Sequence, residues 1–325
     1  MKPYVYIARP IPEQVEAYIA EHCDYKIWRQ EDEKVPTDIL YKELQQVDGA
    51  FLTGYQVNDE LLSHAERLKV VSISSVGYDN YDTEALKRHG VIATHTPYVL
   101  DETVADLLFA LILSGSRRIA ELHEYVKAGK WGTEPDSALF SQDVHHATLG
   151  IIGMGRIGEK IVRRARLGFE MEILYHNRSS RPRLEEQYEA KKVELDELLQ
   201  QADVVVVMVP LTEETRHFIG KRELDLMKPT ALLVNGARGS VIDEPALVEA
   251  LQQKKIHGAA LDVFEQEPLP QDHPLLSLEN VTLTPHIGSA TAKTREGMAM
   301  RAAENLVAGV TGGKPRDVIK ELREK

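Results

Sequence analysis

The chain has 325 residues, 43% of them hydrophobic and 28% charged, with a formal net charge of −12 at pH 7. This length predicts about two domains, and the negative charge argues against nucleic acid or an anionic membrane as the main partner. The single cysteine, Cys23, excludes a disulfide within the chain, and no signal-peptide core or membrane-spanning apolar run is recognisable, so we expect a cytoplasmic protein.

The first hundred residues alternate short β-like runs with helical patterns. We predict strands at 4–8, 25–28, 50–53, 70–74 and 91–94, and helices at 12–22, 37–46, 58–66 and 83–89. Alternation with elements of this length is typical of βαβ units and a parallel sheet. The pattern therefore predicts one small doubly wound α/β domain.

A connecting segment at 101–129 has the pattern of one long helix. Its apolar part is wider than a single stripe, which is expected of a helix buried in its own domain or placed at a subunit interface. The sequence alone leaves both alternatives open.

A second α/β series begins at Thr148. We predict strands at 148–152, 171–176, 204–209, 231–234, 257–261 and 281–284, with helices between them that include 195–201 and 244–253. The run VVVVMV at 204–209 is almost continuously apolar, as expected of a strand that is covered on both faces. A last helix is predicted at 291–308.

The first strand of this second series ends in a glycine-rich turn, TLGIIGMGRIG at 148–158. Gly153 permits a tight turn, Gly155 lets the backbone approach phosphates, and Gly158 lets the following helix pack closely on the strand. The unpaired N–H groups and the positive dipole end of that helix suit a pyrophosphate. Because the motif follows a strand and precedes a helix, it predicts a dinucleotide site.

Three later segments carry polar side chains directly after predicted strands. They are VNGARGS at 234–240, ALDVFEQEP at 260–268 and TPHIGSA at 284–290. Ligands of open α/β sheets bind outside the carboxyl ends of the strands, so Arg238, Glu267 and His286 are expected to converge there. Each of them alone has a plain alternative, as a surface ion pair, a solvated loop residue or a buried histidine.

These motifs, together with SVGYDNYD at 75–82 and ETVADLLFALIL at 102–113, resemble the D-isomer-specific 2-hydroxyacid dehydrogenase family over essentially the whole chain. The resemblance implies two Rossmann-like doubly wound parallel-sheet domains with a cleft between them. Residues 1–99 and 290–325 would form the substrate-binding domain, and residues 100–289 the dinucleotide-binding domain. It also implies a homodimer with the long helix after Asp101 at the interface.

The same resemblance implies that Arg238, Glu267 and His286 are the catalytic triad. A guanidinium can hold the carboxylate of a 2-keto acid and polarise its carbonyl. A protonated His286 suits proton delivery near neutral pH, and Glu267 would orient its ring. Substrate contacts are expected from Arg238 and His286, and also from Leu52, Val76 and Gly77. No metal site is predicted.

The residues at the end of the second strand of this series predict the cofactor. An acidic residue there would bind a ribose 2′-hydroxyl, but the sequence reads YHNRSSR at 175–181. We expect the basic and hydroxyl side chains to favour NADP(H) over NAD(H). The predicted contacts in this loop are Asn177, Arg178, Ser179 and Arg181. Further cofactor contacts implied by the resemblance are Arg156, Ile157, Pro210, Thr215, Ala237, Arg238, Asp262, Thr103 and Gly288.

Within the family, the chain resembles glyoxylate/hydroxypyruvate reductases and 2-ketogluconate reductases. Gly236 stands where many relatives carry threonine or serine, and the segment after Trp131 lacks a second tryptophan, which leaves room for a sugar acid. The alternatives are a nucleotide-sensing protein like the related corepressors, or an NAD-dependent D-2-hydroxyacid dehydrogenase such as phosphoglycerate dehydrogenase.

Overall fold

The computed structural model describes residues 2–132 and 136–323 of the chain. Residues 133–135, part of the segment after Trp131, lie outside the described residues. The chain divides into two compact units: unit 1 is residues 1–100 with 290–325, and unit 2 is residues 101–289.

Unit 1 is built on a five-stranded parallel sheet in the order β2-β1-β3-β4-β5. Its elements up to residue 100 are β1 (Tyr4–Ile7), α1 (Glu13–His22), β2 (Asp24–Ile27), α2 (Thr37–Leu44), β3 (Gly49–Phe51), α3 (Asp59–Ser63), β4 (Val70–Ser72), α4 (Thr83–His89) and β5 (Ile92–Thr94). Each predicted strand and helix of this region is present, with ends that differ by a few residues.

Unit 2 is built on a seven-stranded parallel sheet in the order β12-β11-β10-β9-β6-β7-β8. Its helices are α5 (Asp101–Ser116), α6 (Ile119–Lys127), α7 (Arg156–Phe169), α8 (Pro182–Tyr188), α9 (Leu195–Gln201), α10 (Lys221–Leu226) and α11 (Glu244–Gln252). Its strands are β6 (Thr148–Ile152), β7 (Glu172–His176), β8 (Lys191–Lys192), β9 (Val204–Val207), β10 (Leu232–Asn235), β11 (Gly258–Leu261) and β12 (Val281–Leu283). The short edge strand β8 has no apolar pattern, and the sequence did not predict it.

The segment predicted as one helix at 101–129 is two helices, which corrects that expectation. Arg118 has a φ of 54°, a left-handed conformation that ends α5 and starts α6 in a new direction. Helix α5 is the buried part and packs on α7 and on strands β10 and β11. Helix α6 has no buried residue.

The last helix, α12 (Ala292–Val310), returns to unit 1 and packs on β3 and β4. Two glycines make this close packing possible. A Cβ on Gly49 would lie 2.6 Å from Val310, and one on Gly309 would lie 2.8 Å from Val70. Buried Asn305 of this helix bonds to Asp317, which also pairs with Arg301 at 2.5 Å.

The strand order of unit 2 reverses direction between β6 and β9. The chain runs outward from β6 to β8 and then returns to the other side of β6. In open α/β sheets, this switch point opens a crevice at the carboxyl ends of the two strands. The glycine-rich turn after β6 and the residues after β9 lie at this point. Among the described residues, no helix combines the length and the apolarity needed to cross a bilayer.

Candidate active site

The glycine-rich turn has the geometry that its sequence predicts. Gly153 has a φ of +99°, and a Cβ there would lie 2.7 Å from the carbonyl carbon of Met208. A Cβ on Gly158 would lie 2.8 Å from the carbonyl oxygen of Gly153. Larger residues at either position would push the turn away from its neighbours, so both glycines are required by packing.

Gly155 has a different role, because a Cβ there would meet no atom within 4 Å. It is the N-cap of α7, makes no side-chain cap, and precedes Arg156 and half-buried Ile157 in the first turn. The open space and the uncapped N–H groups at the start of this 14-residue helix fit a pyrophosphate group. The residues present therefore fit a dinucleotide.

Two predicted cofactor residues have structural partners that the sequence did not reveal. The Oδ1 atom of Asn177 accepts a hydrogen bond from the Met154 N–H at 2.8 Å, and its Nδ2 atom donates to the Met154 carbonyl at 3.3 Å. Asn177 therefore ties the end of β7 to the glycine-rich turn. The Nε atom of Arg156 donates to buried Asp101 at 3.0 Å, which joins this turn to the start of α5.

The loop after β7 presents the predicted basic side chains to solvent. Arg178, Ser179 and Arg181 are all exposed. The Arg181 N–H donates to the Tyr175 hydroxyl at 2.8 Å, which fixes the turn into α8. Burial, together with a hydrogen bond to Glu185, raises the pKa of Tyr175 to about 12, so this hydroxyl stays protonated.

A pocket of about 340 Å³ lies between this loop and the glycine-rich turn. One wall is Met154 to Arg156 with Glu159, and the other is residues 180–184, including Arg181 and Arg183. Arg178 and Ser179 are not among its lining residues. The sequence did not single out Glu159 or Arg183, because their placement depends on how α7 packs beside α8.

Three other predicted cofactor residues, Pro210, Thr215 and Ala237, lie in the segments that follow β9 and β10. After β9, the Thr215 hydroxyl donates to the carbonyl of exposed Pro210 at 2.6 Å and closes a turn. After β10, the Ala237 N–H donates to the Asn235 side chain at 3.0 Å. Thr103 lies on α5 and is half-buried.

Arg238 follows Ala237 directly, in a segment that side-chain hydrogen bonds hold in place. Asn235 donates from Nδ2 to the Arg238 carbonyl at 3.0 Å, and the Arg238 side chain donates from Nη1 to the Ala237 carbonyl at 2.9 Å. A Cβ on the next residue, Gly239, would lie 1.8 Å from the carbonyl carbon of Phe264. The absence of a side chain at Gly239 therefore brings the Arg238 segment against the loop that carries Glu267.

Gly236 precedes this segment. A Cβ there would lie 2.3 Å from the end of the Leu108 side chain on α5. The space that a side chain would take at this position is filled by Leu108. This glycine is therefore required by the packing of α5, and the choice between a small keto acid and a sugar acid stays a prediction.

Glu267 and His286 are joined by a hydrogen bond, with 2.7 Å between Glu267 Oε2 and His286 Nδ1. The other carboxylate oxygen, Oε1, accepts from the Phe264 N–H at 3.1 Å. The two side chains remain 37% and 48% exposed, respectively, so a small molecule can reach them. Burial raises the pKa of Glu267, but these two hydrogen bonds and the charges of His286 and Arg238 outweigh it and hold the pKa below its ordinary value. Glu267 is therefore a carboxylate at neutral pH, and the three predicted catalytic residues are electrostatically coupled.

Asp262 holds the loop on which His286 stands. This buried carboxylate accepts hydrogen bonds from the Thr284 hydroxyl at 2.7 Å and from the N–H groups of Ile287 and Gly288 at 2.8 and 2.9 Å. We expected Asp262 to bind the cofactor. That contact stays a prediction; in the structure, its oxygens are engaged on both sides of His286, which has a φ of 52°.

The remaining predicted substrate residues lie in unit 1, at the carboxyl ends of β3 and β4. Leu52 is buried and donates its N–H to the Ser72 carbonyl at 3.0 Å. Val76 and Gly77 are half-buried, and the Val76 carbonyl bonds to the His95 ring at 2.9 Å. Their contact with a substrate stays a prediction. In the described part of the chain, no group of three or more His, Cys, Asp or Glu could hold a metal ion.

Comparison with known proteins gives a consistent result. Residues 109–288 match the model of the D-isomer specific 2-hydroxyacid dehydrogenase NAD binding domain. A glyoxylate/hydroxypyruvate reductase B from Erwinia tasmaniensis is 46% identical over 315 residues, covering 96% of this chain and 97% of the relative.

Two solved structures are similar over nearly the whole chain. One is an NADPH-dependent glyoxylate/hydroxypyruvate reductase from Sinorhizobium meliloti in complex with NADP and malonate, with a TM-score of 0.86, 31% identity, and coverage of 100% of this chain and 99% of that one. The other is a glyoxylate reductase from Paecilomyes thermophila, with a TM-score of 0.89, 30% identity, and coverage of 99% of both chains. These matches confirm the predicted family and the two parallel-sheet α/β domains. The chain belongs to the D-isomer specific 2-hydroxyacid dehydrogenase family and is an NAD(P)-dependent oxidoreductase.

Proposed function

We propose that this chain reduces a 2-keto acid, namely glyoxylate, hydroxypyruvate or 2-ketogluconate, to the D-2-hydroxy acid, with NADPH as cofactor and His286 as proton donor. The observation that carries the proposal is the 2.7 Å contact between His286 Nδ1 and Glu267 Oε2, in the unit that also carries the glycine-rich turn. The names of the relatives support the first two substrates.

Bound NADPH supplies a hydride, and the side chains of this chain manage the charge that the reduction produces. A 2-keto acid carries a carboxylate that must be held and a carbonyl that must be polarised. The planar guanidinium of Arg238 suits both tasks, since it offers several donors in a fixed fork. Its backbone is held by Asn235 and packs closely at Gly239. The Arg238 backbone therefore loses little conformational entropy when a substrate binds.

His286 delivers the proton to the developing alkoxide. The ionised carboxylate of Glu267 keeps a proton on Nδ1, which leaves Nε2 as the nitrogen that exchanges a proton with the substrate oxygen. In the oxidation direction, the same nitrogen accepts the proton from the hydroxyl group. Asp262 keeps the ring in place through its three hydrogen bonds to the His286 loop.

The preference for NADPH rests on the loop after β7. No acidic residue occupies the end of this strand, and Asn177 is engaged with the glycine-rich turn. Exposed Arg178, Ser179 and Arg181 remain to receive a 2′-phosphate, and Arg181 lines the adjacent pocket. Replacing Arg178 by alanine is expected to raise the KM for NADPH far more than the KM for NADH. Equal effects on both cofactors would contradict the assignment.

We also propose that the chain forms a homodimer in the cytoplasm, in line with its family. Large apolar side chains are exposed on α6 and in the segment that follows it: Ile119 at 55%, Val126 at 51%, Trp131 at 71% and Phe140 at 69%. Contiguous exposed apolar patches mark interfaces, and we infer that these side chains contribute to one. Light scattering is expected to give twice the mass of one chain and to give the single-chain mass for Val126→Lys. A wild-type mass equal to one chain would contradict the dimer.

The activity is tested by NADPH oxidation with glyoxylate, hydroxypyruvate, pyruvate and 2-ketogluconate, each repeated with NADH. We expect turnover with at least one of the three named substrates and a higher kcat/KM with NADPH. A protein that binds NADPH but reduces none of the four acids would instead support a nucleotide-sensing role. A higher kcat/KM with NADH would favour the NAD-dependent alternative.

A further inference from the structure

A carboxylate, Glu159, lines the pocket between the glycine-rich turn and the basic loop, where the 2′-phosphate of NADPH would bind. Glu159 lies in the first two turns of α7, four residues after Gly155, and its side chain is 23% exposed. It shares the pocket wall with Met154, Gly155 and Arg156. An acidic side chain at this place is unfavourable for a bound phosphate, because like charges repel across a partly desolvated pocket.

The opposite wall supplies a matching cation, Arg183. Its Nη2 atom donates to Glu159 Oε1 at 2.7 Å, and its Nη1 atom donates to Gln187 Oε1 at 2.9 Å. Arg183 lies in the first turn of α8, two residues beyond Arg181, and also lines the pocket. The pair therefore joins the helix that follows the glycine-rich turn to the helix that follows the basic loop.

We propose that Glu159 and Arg183 together are a specificity-determining pair for the cofactor, in which Arg183 neutralises a carboxylate that would otherwise repel a 2′-phosphate. The inference rests on the proposed use of NADPH. A 2′-phosphate carries close to two negative charges at neutral pH, as other phosphomonoesters do. The ribose of NADH carries an uncharged hydroxyl group there, so the pair acts on one cofactor and leaves the other nearly unaffected.

Each substitution is predicted to change the NADPH affinity in a definite direction. Arg183→Ala leaves the Glu159 charge uncompensated and weakens NADPH binding by about fivefold, which is the size expected for one charge at a partly exposed site. Glu159→Gln removes the repelling charge, so NADPH binding is unchanged or tighter. In the double variant NADPH binding is not weakened, because the Glu159 charge that Arg183 neutralises is no longer present.

The experiment is a double-mutant cycle in which the dissociation constants of NADPH and NADH are measured by nucleotide fluorescence titration. This measurement needs no substrate and no turnover. Gln187→Ala is the matched control, since it removes the other partner of Arg183 without changing any charge. Thermal unfolding of each variant shows that it is folded. Raising the salt concentration to about 0.5 M is expected to shrink the Arg183→Ala effect, as screening requires.

We expect the Kd for NADPH to rise only in Arg183→Ala, with the Kd for NADH changing less than about twofold, a difference too small to indicate a lost charge contact. A fivefold rise that persists in the Glu159→Gln background would show that Arg183 binds the cofactor directly, which overturns the inference. Equal weakening of NADPH and NADH would also overturn it. If the wild type binds NADH but not NADPH, the proposed cofactor and this inference both fail, whereas tight NADPH binding without coupling in the cycle refutes the inference alone.

Discussion

Replacing Asp262 by asparagine tests whether this residue positions His286. The carboxylate accepts three hydrogen bonds on its two oxygens, from the Thr284 hydroxyl and the N–H groups of Ile287 and Gly288, at 2.7 to 2.9 Å. Asparagine keeps one accepting oxygen and turns an NH₂ group toward at least one of these donors. The variant thus loses a charge-assisted bond and leaves a buried N–H unpaired, at a cost of about 2–3 kcal/mol of unfolding free energy.

Activity is expected to fall more than stability alone explains. A displaced His286 loop moves the proton donor, and a shift of about 1 Å at a reacting group costs up to about 100-fold in rate. We expect kcat for keto-acid reduction to drop by about 10- to 100-fold, while the Kd for NADPH changes little. Urea unfolding gives the stability, and steady-state NADPH oxidation gives kcat and KM.

Asp243→Ala is the control for a purely structural loss in the same unit. Asp243 caps α11 by accepting from the Ala246 N–H at 3.1 Å, and its removal costs about 1 kcal/mol of stability. Its kcat should stay near that of the wild type. A folded Asp262→Asn protein whose kcat equals that of Asp243→Ala would refute the positioning role.

Three further results are expected. Glu267→Gln lowers kcat by about 10- to 100-fold. The pKa of Glu267 lies below its ordinary value of about 4.3, so the wild type keeps this carboxylate at higher pH and loses it, and with it activity, only as the pH falls through the lowered pKa. A kcat–pH profile of the variant should therefore lack this loss of activity in acid. Asp317→Asn destabilises unit 1 by about 3 kcal/mol at pH 7. Burial raises the pKa of Asp317, but hydrogen bonds from Arg301 and Asn305 lower it overall. The contribution of Asp317 to the unfolding free energy is therefore present above about pH 4 and shrinks in stronger acid. Urea unfolding should show a smaller difference in unfolding free energy between wild type and variant at about pH 3 than at pH 7. Gly158→Ala places a Cβ 2.8 Å from the Gly153 carbonyl, so the Kd for NADPH should rise about tenfold in a fluorescence titration, and an unchanged Kd would show that the close packing is unimportant for binding.

Much of the fold could be predicted because strand and helix patterns are local. The apolar run at β9 and the glycine spacing after β6 each depend on neighbouring residues, and both are present as expected. The break between α5 and α6 was missed because Arg118 adopts a left-handed conformation that its residue type does not indicate.

The candidate catalytic residues could be picked out from the sequence, but their supporting contacts could not. Arg238, Glu267 and His286 are recognisable as residue types at strand ends. The bonds from Asn177 to Met154 and from Asp262 to the His286 loop join residues more than 20 positions apart, so no local pattern reveals them. The pairing of Glu159 with Arg183 likewise depends on how two helices pack, which only the structure shows.

His286, held by Glu267, is proposed to complete the reduction of a 2-keto acid to the D-hydroxy acid. The most direct measurement is chiral analysis of the product formed from hydroxypyruvate and NADPH, by the wild type and by His286→Gln. We expect one D-2-hydroxy acid for each NADPH oxidised by the wild type, and a rate about 1,000-fold lower in the folded, NADPH-binding variant. An L product, or a His286→Gln protein as fast as the wild type, would contradict the account.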